Sequence, residues 1–533
     1  MSPAPDSVES ANGIAFTVIG VYLVMLLVLG WMGHRANKPG EEDYYLAGRK
    51  QRWLVSTLTI MATFLSSFAL LGAPGMVYRE GVVFALVSLN IPVAGFCIYT
   101  LGRRIWKAGR DGGFVTPADM ICDHYKSPVA LRLLVALTGL LFVLPYVIMQ
   151  IKAGGDLAAV LFRGQENAYE IGAVVLASIT ALYIMIGGMR SVAWTDSVQC
   201  VLLLGGMLLA GIAMTVAMGG PSGFAKEVAD LPESSLTVPG NTGLWKLPFL
   251  LSVCLLMPIG GILQPAQWMR FYSADGPRAL RRSALIFIFV LTGCFLFGVM
   301  PVGLGGQAQY PLQITADGVS PAAEVGVFDQ ILVVVAREQL PVLFGSTIGL
   351  VIATLLIVAT MAASMSTADS NLHALSAVVT RDLYANLFRP KAGERERLWV
   401  GRLTVIIATT ISLVMVIAGS RPESSLAGFM EMIVGLALFA VAFSVQLLPI
   451  TIDLLFVKRG TRAGAVSGLA VGLVFAFAFT SLFPLFVGGD STLMGLVGTA
   501  KLVFPIHAAA WGLIPNALIF VIVSFAQNRK RPV

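Results

Sequence analysis

Ala353–Thr380 reads ATLLIVATMAASMSTADSNLHALSAVVT, a membrane-grade apolar run that places Ser364, Ser366, Thr367, Asp369 and Ser370 close together. Hydroxyls and a carboxylate at that depth offer hard oxygen ligands where water does not reach, and intramembrane ionisable groups mark ion or substrate paths. The competing reading is a packing seam, because Ala, Ser and Thr also let helices approach closely. Packing accounts for the alanines but leaves Asp369 unexplained. A cation site is the stronger reading.

Composition agrees with a membrane setting. Of 533 residues, 57% are hydrophobic and 12% charged, about half the charged share of a soluble domain. No soluble core absorbs that much apolar chain. The net charge of +7 is spread through short loops between apolar runs, where it sets topology, so no nucleic-acid partner is expected. Cys97, Cys122, Cys200, Cys254 and Cys294 lack CxxC spacing, so neither a disulfide framework nor a zinc site is indicated. His34, His124, His373 and His507 are equally dispersed.

Thirteen spans, each near the ~20 residues a bilayer needs, are read at 13–32, 54–78, 82–102, 129–162, 168–187, 190–218, 246–270, 281–304, 343–380, 400–418, 426–449, 463–485 and 507–527. Residues 1–12 are acidic and lack the basic start of a signal peptide. Arg35, Lys38, Arg49, Lys50 and Arg52 follow the first span, so its N-terminus points outward. Alternation then puts Arg103, Arg104, Lys107 and Arg110 inside, followed by Arg278, Arg281 and Arg282. Arg381, Arg389, Lys391, Arg395, Arg397 and Arg402 come next, then Lys458, Arg459 and Arg462, and last Arg529, Lys530 and Arg531. Outward loops hold fewer: Arg79, Arg163, Lys226, Lys246, Arg337, Arg421 and Lys501. Two outward connections, about 219–245 and 305–342, are long, and 324–338 within the second reads as a short surface helix. The expected location is the plasma membrane, the inner one in a bacterium, with a cytoplasmic C-terminus.

Two spans carry breakers. LLGAPGMVYREG holds Gly72, Pro74 and Gly75; MPIGGILQPAQW holds Pro258, Gly260, Gly261 and Pro265. Proline removes a backbone donor and glycine loosens the helix, so both spans are expected to interrupt within the membrane and expose carbonyls. The alternative is ordinary kinked helices, which are common in membranes, and a single kink would be weak evidence. A matching pair in two halves points to a secondary transporter built from repeats.

GGMRSVAWTDSVQ (Gly187–Gln199), SMSTADS (Ser364–Ser370) and EDYYLAGR (Glu42–Arg49) together resemble the sodium/solute symporter family of proline, pantothenate, sugar and monocarboxylate transporters. The resemblance implies an all-α polytopic membrane protein with a leucine-transporter-type arrangement of five plus five inverted helices. Its expected parts are an outer tail at 1–12, an additional helix and cytoplasmic loop at 13–52, and a first repeat at 53–219. An outward loop at 220–245, a second repeat at 246–449 and two C-terminal helices with a tail at 450–533 follow.

The resemblance also implies a sodium site made of Ala62, Leu65 and Ala363 carbonyls with Ser366 and Thr367 hydroxyls. Ala363, Ser366 and Thr367 fall one turn apart on one helical face. In part of the family a second cation site joins the WTD aspartate to two later polar residues, here Asp196 with Asp369 and Ser370. Two nearby carboxylates do not both ionise cheaply, so they share a second cation or one holds a proton; alternatively Asp196 caps its helix. Proline carriers have an acidic residue where this chain has Phe64, and ATFLSSFALLGAPG looks closer to the monocarboxylate and pantothenate branches.

A midplane solute site would draw on Ser66, Ser67 and Phe68, on Gln264, Gln267 and Trp268, and on Tyr146, Gln150 and Lys152. Lys152 would meet a carboxylate, snorkel outward or pair with Asp156 one turn on. The expected activity is symport of a small organic solute, most simply a small organic anion such as a monocarboxylate, with Na⁺ as coupling ion or H⁺ in its place. An amino acid or sugar is the alternative cargo. A solute-binding sensor is the alternative class, but relatives of that kind carry an attached signalling domain, and the chain ends about one turn past its last span. No GxxxxGK with a following Ser or Thr suits an ATP-driven pump. No nucleophile–base pair suits an enzyme, and no obligate protein partner is implied beyond the solute and the bilayer.

Overall fold

The computed structural model describes residues 5–127, 129–162, 165–315, 318–421, 423–488 and 491–529. The start of the expected tail, Arg163, Lys530 and Arg531 lie outside the described residues. The first helix, α1 (Pro5–Ala36), begins within that tail, and a short α2 (Glu41–Leu46) follows it.

A first set of five spans then runs from α3 and α4 (Trp53–Phe64 and Phe68–Glu80), bent by 58°, through α5 (Val82–Gly112), α7 (Ala130–Leu161), α8 (Ala168–Met185) and α9 (Gly187–Ala217), with α6 (Pro117–Tyr125) lying between α5 and α7. A second set opens on α10 and α11 (Leu247–Leu263 and Pro265–Ser273), bent by 57°, and continues through α12 (Pro277–Gln309), α14 (Ser346–Phe388), α15 (Glu394–Gly419) and α16 (Ile433–Val457). The helix α13 (Ile331–Phe344) precedes α14.

Counting each bent pair once gives 12 helices or pairs long and apolar enough to cross a bilayer among the described residues. The span expected at 463–485 is instead α17 (Arg462–Ala478), an apolar helix of 17 residues. After it come α18 (Thr492–Val503), which no expected span covers, and α19 (Ala508–Arg529). Thirteen is therefore not confirmed as the number of spans.

The enclosed centre consists of α7, α14 and α16, whose apolar and small residues are buried on nearly every face. Helices buried all round belong to a bundle interior, not to its lipid face. The peripheral pair α17 and α19 packs through Gly464, Gly468 and Gly472: a Cβ on Gly468 would lie 2.8 Å from the Asn516 carbonyl oxygen. Small residues at every fourth position allow that approach.

One end of the bundle is bound by a charge network. Arg381 and Arg397 meet Glu41 at 2.8 and 2.7 Å, Arg132 bridges Asp119 and Asp382 at 3.1 and 2.9 Å, and Arg190 meets Asp43 at 2.5 Å. At the other end the two long connections fold back onto the bundle. The 324–338 stretch differs from its expectation: Phe328 to Ala336 are buried except for the partly exposed Gln330, and the helix runs on to Phe344. Its valines face the core because the preceding turn rests on α4, where a Cβ on Gly75 would come within 2.8 Å of the Phe328 carbonyl oxygen. The last core helix starts at Ile433, later than the expected 426. Met432 is extended, and the Ile433 amide donates to Asp329 at 2.8 Å, so a side chain from the outer connection caps α16.

Candidate functional site

The first bend falls at Leu65–Ser67, upstream of Gly72, Pro74 and Gly75; these lie inside α4, where Pro74 follows a π-helical turn over Phe68–Gly72. Partners from elsewhere hold the break open. The Ser66 hydroxyl accepts from the Phe68 amide at 3.1 Å, and the Gln150 side-chain oxygen accepts from the Ser67 amide and hydroxyl at 3.1 and 2.8 Å. The second bend falls at Gln264, with Pro265 opening the next helix. Proline favours an extended residue before it and a helical start at itself.

Against the first break lies α14. The Thr367 hydroxyl donates to the Ala62 and Leu65 carbonyls at 3.1 and 3.0 Å, and the Ser366 hydroxyl donates to Ala62 and Ala363 carbonyls at 3.3 and 3.1 Å. Ala62, Ala363, Ser366 and Thr367 are fully buried and Leu65 nearly so. Five neutral oxygens from two distant stretches of chain thus converge in the interior. A hydroxyl is donor and acceptor at once, so rotating the two O–H groups away would free their lone pairs for a cation beside the Ala62 and Leu65 carbonyls.

The structure also brings Asp196, Asp369 and Ser370 together, around a residue the sequence reading missed. Arg270 on α11 is fully buried. Its guanidinium meets Asp196 at 3.1 Å, donates to the Thr59 hydroxyl at 3.1 Å and contacts the Ser370 hydroxyl. Thr59 donates to Asp196, Tyr183 donates to Asp369 at 2.9 Å, and Thr63 contacts Ser370 at 3.1 Å. Asp196 therefore bridges three helices and is no simple cap. Two carboxylates against one guanidinium leave one formal negative charge, and one Asp196 carboxylate oxygen has no hydrogen-bond partner among the described residues. Arg270 escaped notice because it stands at the last residue of the expected 246–270 span. An arginine among QPAQWMRFYS was the available signal.

The solute candidates divide into two groups. Ser66, Ser67, Gln150 and Tyr146 gather at the first break, where Gln150 donates to the Tyr146 carbonyl at 3.0 Å. Phe68 lies beside Phe84, with ring centres 6.4 Å apart. At the second break the Gln264 side-chain oxygen and the Trp268 indole N–H are buried without partners among the described residues; Gln267 donates to the Ile60 carbonyl at 3.0 Å, and its own oxygen is likewise unpaired there. Lys152 stands apart. It pairs with Asp156 at 2.6 Å and with Asp329 at 3.3 Å, so two carboxylates already hold its charge.

Comparison with known proteins agrees with this arrangement. The chain matches the Sodium:solute symporter family over residues 44–472. It is 28% identical to the Sodium/proline symporter of Escherichia coli (strain K12), covering 85% of each chain. It is 24% identical to the Sodium/pantothenate symporter of Haemophilus influenzae (strain ATCC 51907 / DSM 11121 / KW20 / Rd), covering 81% of this chain and 82% of that one. The solved structure of a Na⁺-coupled sialic acid symporter in a substrate-bound outward-open state superposes with a TM-score of 0.72 at 20% identity, over 96% of this chain and 98% of that one. The fold is the leucine-transporter type, and the two bent spans open its two sets of five. With a family match across most of its length, this chain belongs to the sodium:solute symporter family, with Na⁺ as its coupling ion.

Proposed function

We propose that the protein imports a small organic solute bearing one carboxylate, and that Na⁺ binds among the Ala62, Leu65 and Ala363 carbonyls and the Ser366 and Thr367 hydroxyls. The convergence of those five oxygens from α3, the first break and α14 carries the reading. The set is neutral and hard, which suits a monovalent cation; Ca²⁺ sites draw on carboxylates. Binding there would tie α14 to the break and favour one conformation over the other, which is the differential affinity that coupling requires.

The remaining negative charge among Asp196, Asp369 and Arg270 is assigned to a second monovalent cation or a proton. The solute carboxylate is assigned to the start of α4, where helix amides attract an anion. Gln264 and Trp268 would meet its polar remainder. Lys152 is left out of this set because Asp156 and Asp329 engage it. Proline and pantothenate, the solutes named for the relatives, each carry one carboxylate, and the unpaired Gln264 and Gln267 oxygens favour a solute with N–H or O–H donors. The repeats are assigned to 53–219 and 246–449 with the N-terminus outside, following the basic loops.

Counterflow in proteoliposomes, with and without Na⁺, tests the assignment against monocarboxylates, proline, pantothenate and sugars. Na⁺-dependent exchange of a carboxylate-bearing solute is the expected result. Exchange of sugars alone would overturn the solute class, and exchange indifferent to Na⁺ in Ser366→Ala/Thr367→Ala and the parent alike would overturn the ion site.

A further inference from the structure

A groove of about 400 Å³ opens on the lipid side of the bundle, at the end that carries the charge network. Its walls come from the last turns of α5, the start of α12 and the end of α16. Tyr99, Arg103, Arg104, Lys107, Pro277 and Phe456 line it. We propose that this groove binds the headgroup of an anionic glycerophospholipid, with Arg103 and Lys107 on the phosphate.

Three observations carry the proposal. The first is charge. Arg132, Arg190 and Arg381 at the same end are all ion-paired, whereas Arg103, Arg104 and Lys107 have no ion pair among the described residues. Arg104 is seated over the Phe456 ring at 4.2 Å and donates to the Leu455 carbonyl at 3.4 Å; Arg103 lies 5.2 Å from the Tyr99 ring centre. The two arginines are thus arranged by aromatic rings and a carbonyl, without an ion pair among the described residues. Basic pockets between spans at such a boundary suit anionic headgroups.

The second is the lane that leads into the groove. Leu89 and Phe96 precede Tyr99 on the same span, and Tyr99 meets Arg103 across the π-helical turn Ile98–Gly102. Leu89 is 60% exposed and Phe96 63%. An apolar stripe on a membrane-spanning helix, ending in cations, fits a ligand with an acyl chain and an anionic head. A free phosphate would have no use for the stripe. The third is shape: the groove is concave and shared by three spans, so a ligand there would bridge the two sets of five.

The test uses purified full-length protein titrated with dioctanoyl phosphatidylglycerol or dioctanoyl phosphatidylcholine and read by native mass spectrometry. Phosphatidylglycerol should be retained in preference to phosphatidylcholine. Arg103→Gln/Lys107→Gln should weaken its apparent affinity about thirtyfold, the effect of two charges near the surface. Arg281→Gln/Arg282→Gln, which removes the same charge outside the groove, should leave it unchanged. Should the double variant not purify folded, Lys107→Gln alone, expected at about fivefold, replaces it. Equal retention of the two lipids overturns the proposal, as does an equal loss in the two double variants. Displacement of the lipid by millimolar inorganic phosphate would mark a free-anion site and overturn the lipid assignment.

Discussion

Replacing Thr367 by alanine removes one of the five oxygens assigned to Na⁺, and the structure sets the size of the effect. In the ion-free arrangement the Thr367 hydroxyl satisfies two buried carbonyls, at Ala62 and Leu65. A hydroxyl has one proton, so the two carbonyls share a single bifurcated bond, whose loss costs about 1 kcal/mol in stability. A ligand to a charge is worth more, about 1.5–3 kcal/mol, so the Na⁺ concentration for half-maximal uptake should rise roughly tenfold to a hundredfold. Thr367→Ser keeps the hydroxyl and should stay within about threefold of the parent. The assay is solute uptake into proteoliposomes across a Na⁺ series, paired with thermal unfolding in saturating Na⁺ and in its absence. Na⁺ should stabilise the parent and Thr367→Ser against heat, and Thr367→Ala far less. A folded Thr367→Ala protein with the parental Na⁺ dependence in both assays would refute the site.

Arg270→Gln should be strongly destabilising, by about 3–5 kcal/mol, because it strands buried carboxylates; adding Asp196→Asn should restore part of the loss, read by thermal unfolding as a double-mutant cycle. Asp196→Asn alone should lower the Hill coefficient for Na⁺ if the cluster takes a second cation, and an unchanged coefficient near one in parent and variant would refute that. Lys152→Met leaves Asp156 and Asp329 without their cation, so in a cysteine-free background it should raise the labelling of Ser67→Cys by an impermeant thiol reagent added from outside. Unchanged labelling would show that the Lys152–Asp329 pair does not tie the 305–342 connection to α7. Burial works against the Asp43 carboxylate, yet its bonds from Arg190 and the Lys38 amide hold its pKa below the ordinary value. Its contribution to stability is therefore complete above the ordinary carboxylate pKa and lost as the pH falls through the lowered one. Asp43→Asn should lower the thermal midpoint at neutral pH, with the gap closing on acidification.

Most of the spans were legible because hydrophobic length is a local signal, whereas the meeting of α3 with α14 was implied only by the family resemblance that SMSTADS and WTD carry. The exact place of the first break was not legible. Gly72, Pro74 and Gly75 advertise a weak helix, yet the chain parts at Leu65–Ser67, where Thr367, Ser366 and Gln150 supply partners from hundreds or tens of residues away. A backbone interruption in lipid lasts only where other groups satisfy it, and sequence does not display those groups side by side. Arg270 was illegible for the same reason: its carboxylate partner Asp196 is 74 residues distant. The outer helix was misjudged because its exposure depends on Gly75 admitting the Phe328 backbone, a contact no periodicity encodes.

The bends of 58° and 57° in the two interrupted spans are all but equal. Each interruption opens one of the two sets of five, so a cation or solute held at either break would touch the first span of its set. A transmembrane voltage of 100 mV acting on one translocated charge contributes about 2.3 kcal/mol, roughly a fiftyfold change in relative population.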